Sequence, residues 1–278
     1  SWSTADFDLT DEATPYQSDM LVPGPYIVTE TIPTGWDQTS AVCTGTKTTG
    51  TFAANAIDLK AGETVTCTFT NTQRGKIKID KVTEPSGEPQ SFNFTTTNWG
   101  SNFSLTDDAT PYESDWLVPG SNYSVSETPQ SGWTQKSATC DNGTVGAISV
   151  IAGQTTTCTF TNTKLAQLTV EKDAIANDLQ DFAFTTTNLG GDFNLDDDEG
   201  VENGNTTLSN SKVFPNLAIG QTYTVTEGEL AGWTLNDIVC SPNVVVNKST
   251  RTISFTPTAG EKATCRFTNV KLASISGT

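Results

Sequence analysis

The pentapeptide Cys-Thr-Phe-Thr-Asn stands at residues 67–71 and again at 158–162, and it returns as Cys-Arg-Phe-Thr-Asn at 265–269. A phrase that recurs at about one domain length marks tandem modules, and no other feature of the chain constrains its fold so tightly. The rest of the repeat lies upstream of each copy. A Tyr-x-Val-x-Glu stretch begins at Tyr26, Tyr123 and Tyr223, and a Gly-Trp pair follows at Trp36, Trp133 and Trp233. One further cysteine precedes each pentapeptide: Cys43, Cys140 and Cys240.

The repeat divides the chain into an incomplete module over 1–72, complete modules over 73–163 and 164–270, and an opening strand over 271–278. Within 73–163, alternating apolar and polar residues predict strands at 76–82, 91–97, 103–105, 123–127, 133–140, 147–151 and 155–162. The third module predicts strands at 168–172, 182–187, 193–195, 223–227, 233–240 and 264–269. Short Thr-, Val- and aromatic-rich strands with regular turn signals make an all-β chain of tandem Ig-like or prealbumin-like β-sandwiches, with seven to eight strands each. The joints are short, which favours a stiff, elongated rod of modules.

The formal net charge is −17 and histidine is absent. An acidic surface disfavours nucleic acid and anionic membrane as partners, and no run is apolar enough for a spanning helix. With no leader pattern, the sequence reads as a mature or excised piece. Nothing in it reads as an active site, so the expectation is a non-enzymatic protein without a cofactor.

Each module holds two cysteines roughly 20 residues apart. An intramodule disulfide closing such a loop contributes about 3 kcal/mol in the chain-entropy model, and it implies an oxidising, extracellular setting. The pairs are Cys43 with Cys67, Cys140 with Cys158, and Cys240 with Cys265. The alternative is three pairs of buried thiols.

Strand parity points to a second chemistry. Glu127 shares the inward face of Tyr123 and Val125, Asn162 that of Cys158 and Phe160, and Lys81 that of Ile77 and Ile79. The same count turns Lys172, Glu227 and Asn269 inward in the next module. A desolvated lysine loses its proton and can attack an asparagine carboxamide beside a protonated carboxyl, forming an isopeptide bond and releasing ammonia. A plain ion pair at strand ends is the other reading.

Trp36, Trp133 and Trp233 recur in register and are expected in the core. Trp99 and Trp116 do not recur in the third module; they either pack or form exposed platforms for a glycan or a host-surface protein. The acidic loops (Asp11-Glu12, Asp107-Asp108 and Asp196-Asp197-Asp198-Glu199) are solvated turns or calcium ligands. Glycosylation sequons begin at Asn93, Asn102, Asn122, Asn142, Asn205 and Asn247.

The first module starts at Phe7-x-Leu9-x-Asp11, which matches Phe103-x-Leu105-x-Asp107, so its first two strands are missing. Lysines follow the closing asparagines by ten residues at Lys81 and Lys172; the third step falls at 279, one past the end. Either the chain is a stretch of a longer array, or the strand at 271–278 completes the first module of another copy by strand addition.

The ordered motifs Phe-x-Phe-Thr, Phe-x-Leu-x-Asp, Pro-Gly-x-Tyr-x-Val-x-Glu, Gly-Trp and Cys-Thr-Phe-Thr-Asn resemble the prealbumin-like, SpaA/CnaB-type domains of bacterial surface proteins. That resemblance covers nearly the whole chain. It implies sandwiches strung as stalks of fibres, pili or adhesins. It also implies isopeptide triads at Lys81, Glu127 and Asn162, and at Lys172, Glu227 and Asn269. The first module has Glu30 and Asn71 without their lysine, and the cysteines depart from the isopeptide-bearing pilins.

Overall fold

In a computed structural model, residues 6–175, 180–197 and 208–275 are described. Every sheet formed by them falls within one of three consecutive modules. Module 1 contains β1 (Gly24–Tyr26), β2 (Trp36–Gly45), β3 (Thr51–Ala53), β4 (Ile57–Leu59) and β5 (Val65–Gln73). Module 2 contains β6 (Lys76–Glu84), β7 (Phe92–Thr97), β8 (Phe103–Leu105), β9 (Tyr112–Glu113), β10 (Gly120–Glu127), β11 (Trp133–Cys140), β12 (Gly143–Thr144), β13 (Ala147–Val150) and β14 (Thr155–Lys164). Module 3 contains β15 (Ala166–Ile175), β16 (Phe182–Thr187), β17 (Phe193–Leu195), β18 (Ser211–Leu217), β19 (Tyr223–Glu227), β20 (Trp233–Cys240), β21 (Val244–Asn247), β22 (Thr252–Phe255) and β23 (Lys262–Lys271).

Modules 2 and 3 share one topology. One sheet runs β11-β14-β6-β9 in module 2 and β20-β23-β15-β18 in module 3, and a five-stranded sheet, built on β7 and β10 or on β16 and β19, faces it. The first and last long strands of each module, β6 with β14 and β15 with β23, are parallel neighbours in the middle of that sheet. Each is covered on its inner face, so its inward residues are dry. Along β6 the alternation is strict: Ile77, Ile79, Lys81 and Thr83 are buried, and the residues between them are not. β18 escapes sequence reading because it contains Pro215, which removes a donor from the ladder. It survives because β18 is an edge strand, paired only with β15.

The three predicted disulfides are present, each joining residues directly opposite on antiparallel neighbours: Cys43–Cys67 across β2 and β5, Cys140–Cys158 across β11 and β14, and Cys240–Cys265 across β20 and β23. A cysteine pair thus staples the last strand of each module to its antiparallel neighbour over the core.

Module 1 is the exception. Its sheets are β3-β2-β5 and β1-β4, with nothing among the described residues in the place of β6 and β7. Among the described residues, only Cys43, Ala54 and Ile57 are buried in its core. The segment before β1 nevertheless keeps one repeat contact: Phe7 stacks on Tyr16 at 3.9 Å, as Phe103 stacks on Tyr112 at 3.9 Å in module 2. After β23, Leu272 and Ile275 are exposed, and residues 272–275 form no ladder.

Candidate functional site

The inward register of β6 carries a lysine into the core of module 2. Lys81 is 2% exposed, and its Nζ lies 3.7 Å from Glu127 Oε1 at the end of β10. Asn162, also 2% exposed, projects from β14 on the same face as Cys158 and Phe160. Module 3 repeats the arrangement: Lys172 Nζ lies 3.7 Å from Glu227 Oε1, and Asn269 on β23 is fully buried. The structure therefore brings together the residues that parity turned inward.

The hydrogen bonds of these lysines go elsewhere. Lys81 Nζ donates to Val82 O at 2.8 Å and to Phe160 O at 3.3 Å. Lys172 Nζ donates to the carbonyls of Asp173 and Phe267. A neutral amine has two N–H donors and one lone pair, so two carbonyls satisfy its donors and leave the lone pair free. A phenyl ring closes the other side: Lys81 Nζ sits 4.1 Å from the centroid of Phe92, and Lys172 Nζ 3.9 Å from that of Phe182. The repeated tryptophan then packs edge-on against that ring, Trp133 on Phe92 and Trp233 on Phe182.

Electrostatics follow from the dryness. Burial lowers the pKa of Lys81, with Glu127 and Asp107 opposing it, and burial lowers Lys172 to about 8 against the pull of Glu227. Burial also raises the carboxyls of Glu127 and Glu227, against the lysines. Both partners are pushed toward their neutral forms, an amine and a carboxylic acid. Several atoms remain dry and unbonded: Glu127 Oε1 and Asn162 Oδ1 in module 2, and both Glu227 oxygens with both polar atoms of Asn269 in module 3. Such atoms cost free energy as they stand. An amine, a carboxylic acid and a carboxamide held together in this way can support acyl transfer from the carboxamide to the amine, with the acid polarising the amide and passing a proton to the leaving ammonia.

Residues 1–73, 77–164 and 168–271 each match the family described as the prealbumin-like fold domain. The chain belongs to this family. Among solved structures, it is similar to the TIE protein of Bacillus anthracis, at 20% identity over 78% of this chain and 38% of that one, with a TM-score of 0.31. It is similar also to the major pilin protein (T-13) of Streptococcus pyogenes serotype GAS131465, at 14% identity over 72% of this chain and 98% of that one, TM-score 0.32. A third is the C-terminal fragment of the pilus adhesin SpaC from Lactobacillus rhamnosus GG, at 16% identity over 73% of this chain and all of that one, TM-score 0.28. This chain thus spans well under half the length of the first. No curated protein sequence matches it.

The remaining candidate residues of these prealbumin-like modules are placed as follows. Trp99 is not an exposed platform: it is 5% exposed, packs against Phe103 and Tyr112, and donates its indole N–H to Ser124 O. Trp116 is 39% exposed but serves the joint between modules 1 and 2. A Cβ on Gly35 would meet its ring at 3.2 Å, and Lys76 Nζ lies 5.0 Å from its centroid. Trp36, expected in the core, is 38% exposed, because module 1 has no described counterpart of the Phe92 ring.

Among the acidic loops, the Asp107 carboxylate accepts the backbone N–H groups of Thr83 and Gly87, so it ties the loop after the lysine strand. Asp11 accepts the N–H of Glu12, and Asp196 that of Asp197. Asp198, Glu199 and Asn205 lie outside the described residues, among which no acidic cluster suits a metal ion. Asp107 and Asp197, whose charges act on the lysines, were missed as neighbours of the triads. The period of Phe103-x-Leu105-x-Asp107 could have found Asp107, since all three share a face.

Proposed function

We propose that the chain is a structural, non-enzymatic segment of an extracellular surface fibre or adhesin stalk, whose complete modules are each locked by a disulfide and by an isopeptide bond. The bonds would join Lys81 to Asn162 and Lys172 to Asn269. The observation that carries this reading is the repetition, in two successive modules, of a dry lysine, a dry glutamate and a dry asparagine. A single buried charged pair is weak evidence for any role, because burial itself is costly. The same pair twice, each facing a carboxamide with unbonded atoms, is a reactive arrangement rather than a stabilising one.

The mechanics support it. A stalk is pulled at its ends, so force enters module 2 through β6 and leaves through β14. A covalent bond between those parallel neighbours carries load directly from first strand to last and shields the residues between them.

Stretching single molecules tests the reading. Each bond bypasses about 80 to 100 residues, so an unlocked module releases about 30 nm of chain on unfolding. We expect modules 2 and 3 to release only a small fraction of that at forces that unfold ordinary sandwiches. Two full-length releases would overturn the proposal.

A further inference from the structure

Among the described residues, the sheets of the two complete modules end in eight edge strands, and seven of these are guarded against pairing with another chain. β9 and β12 have only two residues each, and β8 and β17 only three. β18 carries Pro215, and β11 and β20 carry register shifts beside Lys136 and Asp237. β21 has none of these devices. It runs Val244-Val245-Val246-Asn247, without proline, charge or register shift. The hairpin that it opens is longer than its counterpart in module 2, where the two cysteines lie 18 residues apart instead of 25.

Alternation along the antiparallel ladder assigns the backbone groups of this edge. Glu227 N–H donates to Arg251 O, so Ile253 and Phe255 of β22 also turn their backbones to β19, and Thr252 and Ser254 turn theirs to β21. Their partners on β21 are Asn247 and Val245. Val244 and Val246 therefore face the open side, where Val244 N–H already donates back to Ser241 O. That leaves the C=O of Val244 and both the N–H and the C=O of Val246. Beside them, the Val245 side chain is 69% exposed. Charge is absent too. In a chain of net charge −17, the only charged residue in the five strands of this sheet is Glu227, which is buried.

We infer that β21 is a lateral docking edge for the β21 of a second copy of this chain. With the two strands antiparallel about a two-fold axis at Val246, each Val246 N–H donates to the other Val246 C=O. The free groups are used, and none that is already bonded is needed. Val245 then stands opposite Asn247 of the second copy, in a close pair without hydrogen bonds. Lys248, whose side chain is 57% exposed, comes beside the second copy's Asn243, and in each chain Asn243 Nδ2 donates to Glu261 Oε1 at 3.0 Å. Cation thus meets carboxylate at both ends of the pair. The edge is complementary to itself, which is why the partner is a copy. An acidic chain repels its copies elsewhere, so this uncharged sheet is the side by which two can approach.

Sedimentation of the full chain in salt of about 0.15 M, where charges more than about 8 Å apart are screened, tests the inference. We expect a monomer–dimer equilibrium with a dissociation constant below about 1 mM. Val245→Lys changes an exposed position, so it should keep the melting temperature and weaken the dimer by about tenfold or more. Val245→Cys chains mixed with Asn247→Cys chains should form a disulfide-linked dimer, whereas neither variant alone should, because identical positions lie too far apart to bridge. A chain that stays monomeric at about 1 mM would overturn the inference. So would a dimer that Val245→Lys leaves unchanged, or cross-linking within one variant alone.

Discussion

Lys172 Nζ and Glu227 Oε1 lie 3.7 Å apart with both side chains sealed from solvent, yet neither atom hydrogen-bonds the other. On the proposed locked-module reading, this pair is the amine and the acid of the amide-forming reaction. In an Asn269→Ala chain the reactants persist, and the pH dependence of stability reports them. Lys172 is held at about 8, below its ordinary 10.5, so the folded chain binds fewer protons than the unfolded chain between those values. Stability of the variant therefore rises with pH across that window, by on the order of 3 kcal/mol. Glu227 acts in the opposite sense: its raised carboxyl makes stability fall as pH rises above 4.5 toward its folded value. Denaturant midpoints of the variant should pass through a minimum and climb again in alkali. If the proposed bond consumes the amine, the parent chain should lack the alkaline climb.

In the proposed reaction Glu127 is the acid that protonates the departing ammonia. Glu127→Gln preserves the shape of module 2 but removes the proton donor, so module 2 should keep its ammonia while module 3 loses its own. Mass spectrometry of the two modules after proteolysis checks this. Loss of ammonia from module 2 in the variant would remove Glu127 from the chemistry.

The disulfides act on modules with unequal cores. Replacing Cys140 and Cys158 together by alanine opens a short loop and should cost about 3 kcal/mol, leaving module 2 folded. The same change at Cys43 and Cys67 removes Cys43, one of the three buried core residues of module 1 among those described. That module should become protease-sensitive while modules 2 and 3 stay resistant, as limited digestion will show.

The joint between modules 1 and 2 is a small interlock. Arg74 bonds Asp37 through two nitrogens, at 2.8 and 2.6 Å, and Gly35 at φ 83° lies flat under Trp116. Gly35→Ala both strains a left-handed backbone and strikes the ring, costing about 1–2 kcal/mol. We expect faster cleavage near residues 73–75 in this variant and in Trp116→Ala. Unchanged cleavage in both would free Trp116 from the joint.

Much of this was legible because a β-strand has period two. Once Ile77 and Ile79 face the core, Lys81 must follow, and the same rule placed Asn162 and Glu227. What stayed hidden depended on partners distant in sequence. Trp99 was left between packing and an exposed platform because nothing local shows that Ser124 receives its indole N–H. Trp116 was left between packing and an exposed platform because Gly35, which it covers, belongs to another module. Trp36 shared its motif with Trp133 but lacks the ring that buries the latter. The β18 strand was masked by Pro215, whose missing donor matters only in a strand paired on both sides.

The most direct test is the intact mass of the chain, measured without and then with reduction. We predict a deficit of about 6 Da from three disulfides, which reduction restores, and a further deficit of about 34 Da from two amide bonds, which it does not. A non-reduced mass short by about 6 Da alone would contradict the locked-module reading.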